Sequence, residues 1–315
     1  MSFIASTGWY AGGFGALLGS NRHLEVDVLP TRHNTATING QEVFYREAGP
    51  NDAPVVLLLH GFPSSSHMFR HLIPALADDY HVIAPDHIGY GHSAMPKVDT
   101  FDYTFDNLAA RTAGLLDHLG IDRFAIYVHD YGAPIGWRLA LDPSYDISAI
   151  ISQSGNAYME GFVTPFWDDL FAYANNPGRG TEPGARAKLS PSTTRWQYEN
   201  GATDARLVSP DTWTLDQLLL ERPGNDEIQL ALFRDYPTNI DGYPQLQEYF
   251  RTSQVPLLAV WGERDEIFGP DGARAFSRDL KEAEVHLLPA GHFALETHLD
   301  AISGYIHGFL GRVLT

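Results

Sequence analysis

The sequence predicts a mostly parallel α/β sheet with helices on both faces and a helical insertion in its second half. Three observations carry this prediction. Short apolar runs alternate with longer amphipathic stretches up to about residue 155. From Gly155 to about Phe250 that pattern stops, and Trp, Tyr, Pro and Asp accumulate instead. Alternation then resumes to the end of the chain. Strand–helix–strand order places successive strands in parallel with the helices packed over them.

Taken in order, Thr35 to Ile38, Asn39-Gly40 and Val43 to Arg46 read as a hairpin with an Asn-Gly turn. Val55 to Leu59 is continuously apolar, as a central strand buried on both faces must be. His81 to Ala84, Ala125 to Val128 and Ile147 to Ile151 are further strands, with helices over His67 to Leu76, Phe105 to Leu119 and Tyr131 to Leu141. Phe105, Leu108, Ala109, Thr112, Leu115, Leu116 and Leu119 recur at three- and four-residue steps and form one helical stripe, which Gly120 ends. Beyond the insertion, Pro256 to Trp261 and Glu284 to Leu288 read as strands, and Gly272 to Leu280 and Leu299 to Leu310 as helices. The expected division is an arm over residues 1–34, a core over 35–155 and 251–315, and a helical insertion over 156–250.

Length and charge narrow the function. A chain of 315 residues can bury roughly 75% of its unfolded surface, enough for one large core without staples. Twenty-one basic against thirty-nine acidic residues give a net charge of −18, which repels phosphate backbones and anionic membranes. Neither nucleic acid nor a membrane is an expected partner. The absence of cysteine excludes a disulfide scaffold, a thiolate metal site and a thiol nucleophile. The histidines show no spacing for a closed metal site, and there is no dinucleotide fingerprint or P-loop, so no metal or cofactor is expected. Met1 to Asn21 is uncharged but carries five glycines and lacks the basic start of a secretory signal. It reads as a loosely ordered arm, or as a segment that packs on a neighbouring subunit or over a site entrance; a homodimer is left open. A cytoplasmic location is the default.

The chemistry concentrates in Tyr127-Val128-His129-Asp130-Tyr131-Gly132-Ala133-Pro134-Ile135-Gly136. A strand runs into a sharp turn and small residues open a helix, the arrangement of a nucleophile elbow with Asp130 at its tip. A carboxylate is ionised at neutral pH and can attack a saturated carbon to form an ester with the enzyme. Aspartate is also a favoured helix N-cap, so the elbow alone leaves both readings even. The remaining motifs decide. His60-Gly61-Phe62-Pro63 follows the central strand, and the N–H of Phe62 can join that of Tyr131 as an oxyanion hole. Asp265 in Trp261-Gly262-Glu263-Arg264-Asp265 and His292 in Gly291-His292-Phe293 follow late strands. Asp130, Asp265 and His292 thus come in the order nucleophile, acid, base, each at the carboxyl end of a strand, where open α/β sheets place their sites.

These motifs, with Asp86-His87-Ile88-Gly89-Tyr90-Gly91-His92-Ser93, make residues 35–312 resemble the α/β-hydrolase fold enzymes with an aspartate nucleophile, the epoxide hydrolases and haloalkane dehalogenases. The resemblance implies an α/β-hydrolase fold with a helical cap inserted after the sixth strand, a cofactor-free hydrolase, and an apolar small molecule and water as reactants. Within the family, an epoxide needs an O–H donor for its leaving oxygen, and a halide needs N–H donors. Tyr131 stands where dehalogenases usually show Trp, and Phe62 where one dehalogenase group has Asn. Phe233-Arg234-Asp235-Tyr236-Pro237 resembles the segment carrying a ring-opening tyrosine and implies that role for Tyr236, although Pro237 replaces the usual Arg. For the first cap tyrosine, alignment on Pro177-Gly178 puts the active position at Leu170, with Tyr173 one turn on; Tyr173 is the candidate. Trp167 and His129 are candidate substrate-facing residues, Trp167 by its indole donor. His60 and His129 are expected to hold loops by hydrogen bonds. The expected reaction is epoxide opening to a diol, with dehalogenation by the same residues as the alternative and a slow-turnover ligand sensor as a second.

Overall fold

The computed structural model describes residues 30–314. The reading of residues 1–21 as an arm lies outside the described residues. Of the expected 1–34 segment, residues 32–34 belong to the first strand.

Among the described residues eight strands form one sheet: β1 (Arg32–Ile38), β2 (Gln41–Ala48), β3 (Val55–Leu59), β4 (His81–Pro85), β5 (Arg123–His129), β6 (Asp146–Gln153), β7 (Leu257–Gly262) and β8 (Glu284–Leu288). Their order is β1-β2-β4-β3-β5-β6-β7-β8. The pairs β1–β2 and β2–β4 are antiparallel, and every pair from β4 to β8 is parallel. At the hairpin, Asn39 and Gly40 both have positive φ (49° and 80°), as a two-residue turn matching the strand twist requires.

Among the described residues the twelve α-helices are α1 (Leu72–Leu76), α2 (Phe105–Leu119), α3 (Gly132–Leu141), α4 (Phe166–Asn175), α5 (Glu182–Ala187), α6 (Pro191–Glu199), α7 (Pro210–Leu220), α8 (Asn225–Asp235), α9 (Pro237–Asp241), α10 (Tyr243–Ser253), α11 (Pro270–Ala275) and α12 (Leu295–Val313). Side-chain alternation on the strands divides the core into two layers. Leu57, Leu59, Ile126, Val128 and Ile150 face the layer of α2 and α3, with Leu115, Ile135 and Trp137. Val56, Leu58, Ala125, Tyr127 and Ile151 face the layer of α1 and α12, with Leu72, Leu76, Ile302 and Phe309. The first layer continues upward into the cap through Phe233, Tyr236, Trp167 and Leu170.

Differences from the sequence reading have local causes. The expected helix from His67 to Leu76 is a short 3-10 turn, Ser66–Phe69, followed by α1. Pro74 explains the break: inside one longer helix it would remove a hydrogen bond and clash with the Arg70 carbonyl, whereas in the first turn of α1 it does neither. The expected helix Gly272 to Leu280 begins at Pro270 and tightens to a 3-10 turn over Phe276–Arg278. α12 begins four residues before Leu299, with a non-helical kink at His298.

Between β6 and β7 lie α4 to α10, the helical cap. Its last helix ends at Ser253, three residues beyond the expected boundary. The cap is tied to the loop after β4: Arg222 donates to the carbonyls of Gly91 and Gly89, Asn225 to that of Gly89, and Tyr90 donates to Gln229 Oε1 at 2.5 Å.

Candidate active site

β5 delivers Asp130 into the turn before α3 with φ 49°, a left-handed conformation that an L residue adopts only when its surroundings enforce it. Two glycines allow this. A Cβ on Gly132 would lie 2.1 Å from the Leu59 carbonyl oxygen, so α3 can start directly over β3 only without a side chain there. A Cβ on Gly61 would lie 2.3 Å from Asp130 Cβ, so the loop after β3 can close on the carboxylate only as glycine. That closure brings the N–H of Phe62 to Asp130 Oδ1 at 2.6 Å, and the N–H of Tyr131 reaches the same oxygen at 2.6 Å.

The other carboxylate oxygen, Oδ2, faces His292 Nε2 at 3.7 Å. On the far side of the ring, His292 Nδ1 donates to Asp265 Oδ2 at 2.9 Å. Since a carboxylate only accepts, Nδ1 carries hydrogen and neutral His292 presents a basic Nε2 toward Asp130. Asp265 is itself fixed. Its Oδ1 accepts from the N–H groups of Ile267 (2.8 Å) and Phe268 (3.0 Å), and its Oδ2 from Ser154 Oγ (2.8 Å).

Burial drives the electrostatics here. Desolvation pushes the Asp130 carboxyl up to about 6, against the opposing pull of His292 and of the Phe62 and Tyr131 N–H groups. For His292, burial disfavours the charged ring, but the adjacent Asp265 and then Asp130 outweigh it and raise its pKa above the ordinary value. The pair can therefore hold a nucleophilic carboxylate next to a base whose imidazolium form is stabilised by Asp265.

The wall above Asp130 is aromatic. Tyr131 packs against Phe62 (5.9 Å between ring centroids), Phe105 (5.0 Å) and Tyr236 (5.8 Å). Tyr236, at the junction of α8 and α9, is buried against Trp167 at 4.5 Å. Its hydroxyl donates to that of Tyr243, and burial, followed by Tyr243 and Asp130, raises its pKa well above the ordinary phenol value. Trp167 lies in this wall, but its indole N–H donates to the Ile267 carbonyl at 2.9 Å, so the donor expected to face a ligand is committed to the acid loop. Tyr173 is not brought to this wall by its hydroxyl. The charged groups around it are Arg234, Glu182, Glu227 and Arg186, on the side of α4 that meets α5 and α8. Leu170, the position matched by alignment, is buried one turn earlier. His129 sits beneath His292, with ring centroids 4.6 Å apart, and its Nδ1 donates to the Gln153 carbonyl at 3.0 Å. It ties β5 to β6 under His292.

A family model described as alpha/beta hydrolase fold matches residues 54–299. This chain belongs to the α/β-hydrolase fold family. An uncharacterized hydrolase of Saccharomyces cerevisiae is 42% identical over 282 residues, 88% of this chain and 96% of that protein. Epoxide hydrolase 3 of Siraitia grosvenorii is 36% identical, covering 89% of this chain and 98% of its own. Among solved structures, a haloalkane dehalogenase of Bradyrhizobium elkani superposes with a TM-score of 0.75 at 25% identity, over 90% of this chain and 99% of that one. The chain is an α/β-hydrolase enzyme with epoxide hydrolase and haloalkane dehalogenase relatives.

Other motif residues of this hydrolase hold the rim in place. Asp86 accepts from the N–H groups of Ser66 and His92, both at 2.7 Å, and so fixes the loop after β4. His60 Nε2 accepts from the His87 N–H, and His87 Nε2 donates to the His60 carbonyl, joining the loops after β3 and β4. Two supports escaped the sequence reading. Ser154, with φ 54°, holds Asp265, and Gln153 Nε2 donates to the His292 carbonyl at 2.9 Å. The signal was the break in pattern at Gly155, which marks the end of β6 but says nothing of what its last side chains touch.

Proposed function

We propose that this hydrolase opens a small apolar epoxide to a diol through an ester on Asp130. The observation that carries the covalent route is the division of labour between the two Asp130 oxygens. Oδ1 is cradled by two backbone N–H groups, and Oδ2 is turned toward His292. Oδ2 attacks a ring carbon, the C–O bond of the ring breaks, and an alkyl ester forms. His292 then removes a proton from water, which adds to the ester carbonyl carbon. Negative charge develops on Oδ1, where the N–H groups of Phe62 and Tyr131 already point. Asp265 orients the imidazole and stabilises its protonated form. Collapse breaks the ester C–O bond, the departing alkoxide takes the proton back from His292 and the diol leaves. Asp130 is left as the acid, and its proton replaces the one the opened ring oxygen took up, which restores the carboxylate.

The choice of an epoxide over a halide rests on the donors nearest Asp130. A departing halide wants N–H groups in a dry pocket, but the Trp167 indole is already bonded to Ile267 and Phe62 offers no side-chain donor. Phenols surround the site instead, and the epoxide hydrolase relative supports the same reading. A cleft of about 660 Å³ opens beside the acid loop, lined by Phe166 and Trp196 together with Asp169, Lys188, Thr193 and Glu266; neither Asp130 nor His292 lines it. The dehalogenase-like superposition keeps halide release as the second reading.

One experiment addresses both parts. His292→Ala treated with styrene oxide should retain a mass increase on Asp130, because alkylation needs no base and ester hydrolysis does. Wild-type enzyme should give the diol from epoxides and no halide from 1-bromobutane. Full steady turnover by His292→Ala would remove the ester mechanism, and halide release without diol would replace the epoxide.

A further inference from the structure

Three phenols near Asp130 differ in what their hydroxyls touch. Tyr90 donates to Gln229, and Tyr236 to Tyr243. The Tyr131 hydroxyl is buried and, among the described residues, has no hydrogen-bond partner. Buried polar groups are almost always paired, so an orphan one calls for a cause. The Tyr131 ring cannot swing to find a partner, being held edge-on by Phe105 and flanked by Phe62 and Tyr236. Asp130 and Tyr90 are the polar groups whose fields its hydroxyl feels.

We propose that Tyr131 serves the reaction twice: its backbone N–H holds Asp130 Oδ1, and its side-chain O–H is the acid that protonates the leaving oxygen as the epoxide opens. The inference rests on the epoxide reading. Tyr236 would have to break its bond to Tyr243 before it could donate, whereas Tyr131 has nothing to give up. As Asp130 Oδ2 bonds to the ring carbon, the electron pair of the breaking C–O bond goes to the epoxide oxygen. That oxygen takes the phenolic proton and leaves Tyr131 as phenolate. An alkoxide is a stronger base than a phenolate, so the transfer is downhill. Ester hydrolysis adds one water, releases the diol and leaves Asp130 as the acid, whose proton returns to Tyr131. The cycle closes with no net gain or loss of protons. Burial, and then Tyr90 and Asp130, keep the free phenol protonated well above neutral pH, so the donor is loaded before each turnover.

The test is Tyr131→Phe, which removes the O–H and keeps both the ring and the backbone N–H. Alkylation and ester hydrolysis are measured separately by rapid quench with excess enzyme and styrene oxide. Alkylation should slow by ~10²- to 10⁴-fold, the usual worth of general-acid assistance, while ester hydrolysis stays near the wild-type rate. Tyr236→Phe should slow alkylation far less. A packing role would not produce this split, since a slackened Oδ1 cradle would slow ester hydrolysis, where charge develops on Oδ1, rather than alkylation alone. Unchanged alkylation, or equal slowing of both steps, overturns the assignment while leaving the epoxide reading intact. Absence of diol from the wild-type enzyme sinks the epoxide reading first and the proton step with it. If Tyr131→Phe does not fold, the same split is read in Tyr131→Trp, whose indole N–H can donate a hydrogen bond but not surrender its proton.

Discussion

The rim of the sheet and the cap above it both crowd Asp130, but they hold their polar groups differently. On the rim, backbone N–H groups and short side chains at strand ends fix Asp130, His292 and Asp265, and the contacts cross between neighbouring loops. In the cap, phenols and an indole sit in a packed aromatic wall, with Tyr236 bonded to Tyr243 and the Trp167 indole to a backbone carbonyl. The rim is built for one geometry. The cap is built from rings that fill space, with few donors left over. Rim substitutions that move a group in contact with Asp130 should therefore alter the chemical steps by orders of magnitude, and most cap substitutions should alter what fits.

Gly61→Ala gives the harshest break on the rim side. The added Cβ would collide with Asp130, so the loop must retreat and carry the Phe62 N–H with it. Loss of one oxyanion donor lowers turnover by about 10²- to 10³-fold, and ester hydrolysis should bear that loss with the protein still folded by circular dichroism. Wild-type rates in this variant would show that the rim tolerates slack.

The pH profile comes next. On the proposed route Asp130 attacks as the carboxylate, and burial pushes its carboxyl up to about 6. Single-turnover alkylation should be flat above that value and fall about tenfold per unit below it. The same shift has a stability sign. Between the ordinary 3.8 of an aspartate and about 6 the native state binds more protons at Asp130 than the unfolded chain, so this group's contribution to stability falls as pH rises through that window. Asp130→Asn should flatten that segment of the stability curve; an unchanged slope would place the cause elsewhere.

Ser154→Ala removes one of the donors that hold Asp265 and leaves the two backbone N–H groups. A hydrogen bond to a buried charged group is worth about 1.5–3 kcal/mol, a loss that urea unfolding can measure. Ester hydrolysis should slow modestly and alkylation hardly at all, because Asp265 acts through His292. The smallest effect belongs to the cap: Tyr173→Phe should leave both steps unchanged, since the charged groups that act on it are Arg234, Glu182, Glu227 and Arg186, and Asp130 is not among them. A large loss of alkylation there would return Tyr173 to the site and blur the division between the two regions.

The same division sets how far the sequence could be read. Motifs at the rim occupy short loops directly after apolar strands, so strand position fixes where Asp130, Asp265 and His292 stand. Phe62 and Tyr131 were legible for the same reason, because a backbone N–H needs only the right loop. In the cap, position along a helix does not settle which way a ring points. Leu170 and Tyr173 are one turn apart on α4, and only packing against α5 and α8 separates their environments. That the Trp167 indole is claimed by a carbonyl one hundred residues later is a fact of tertiary structure alone. The Tyr131 hydroxyl is the reverse case: the residue was found for its backbone, and its side chain became informative only through what surrounds it.

The path of the chain through the cap has an evolutionary consequence. β6 and β7 are adjacent parallel strands, with Ile150 opposite Leu257, and α10 packs on α3 on its way back to β7. The excursion leaves and rejoins the body at nearly one point, where Asn156 Nδ2 donates to Tyr243 Oη and Gln247 to the Ala157 carbonyl. Such a lid is a cassette with its two ends already clasped. It can be lengthened, shortened or traded for another without disturbing the register of a single strand, so new substrates can be adopted while the hydrolytic apparatus below is inherited unchanged.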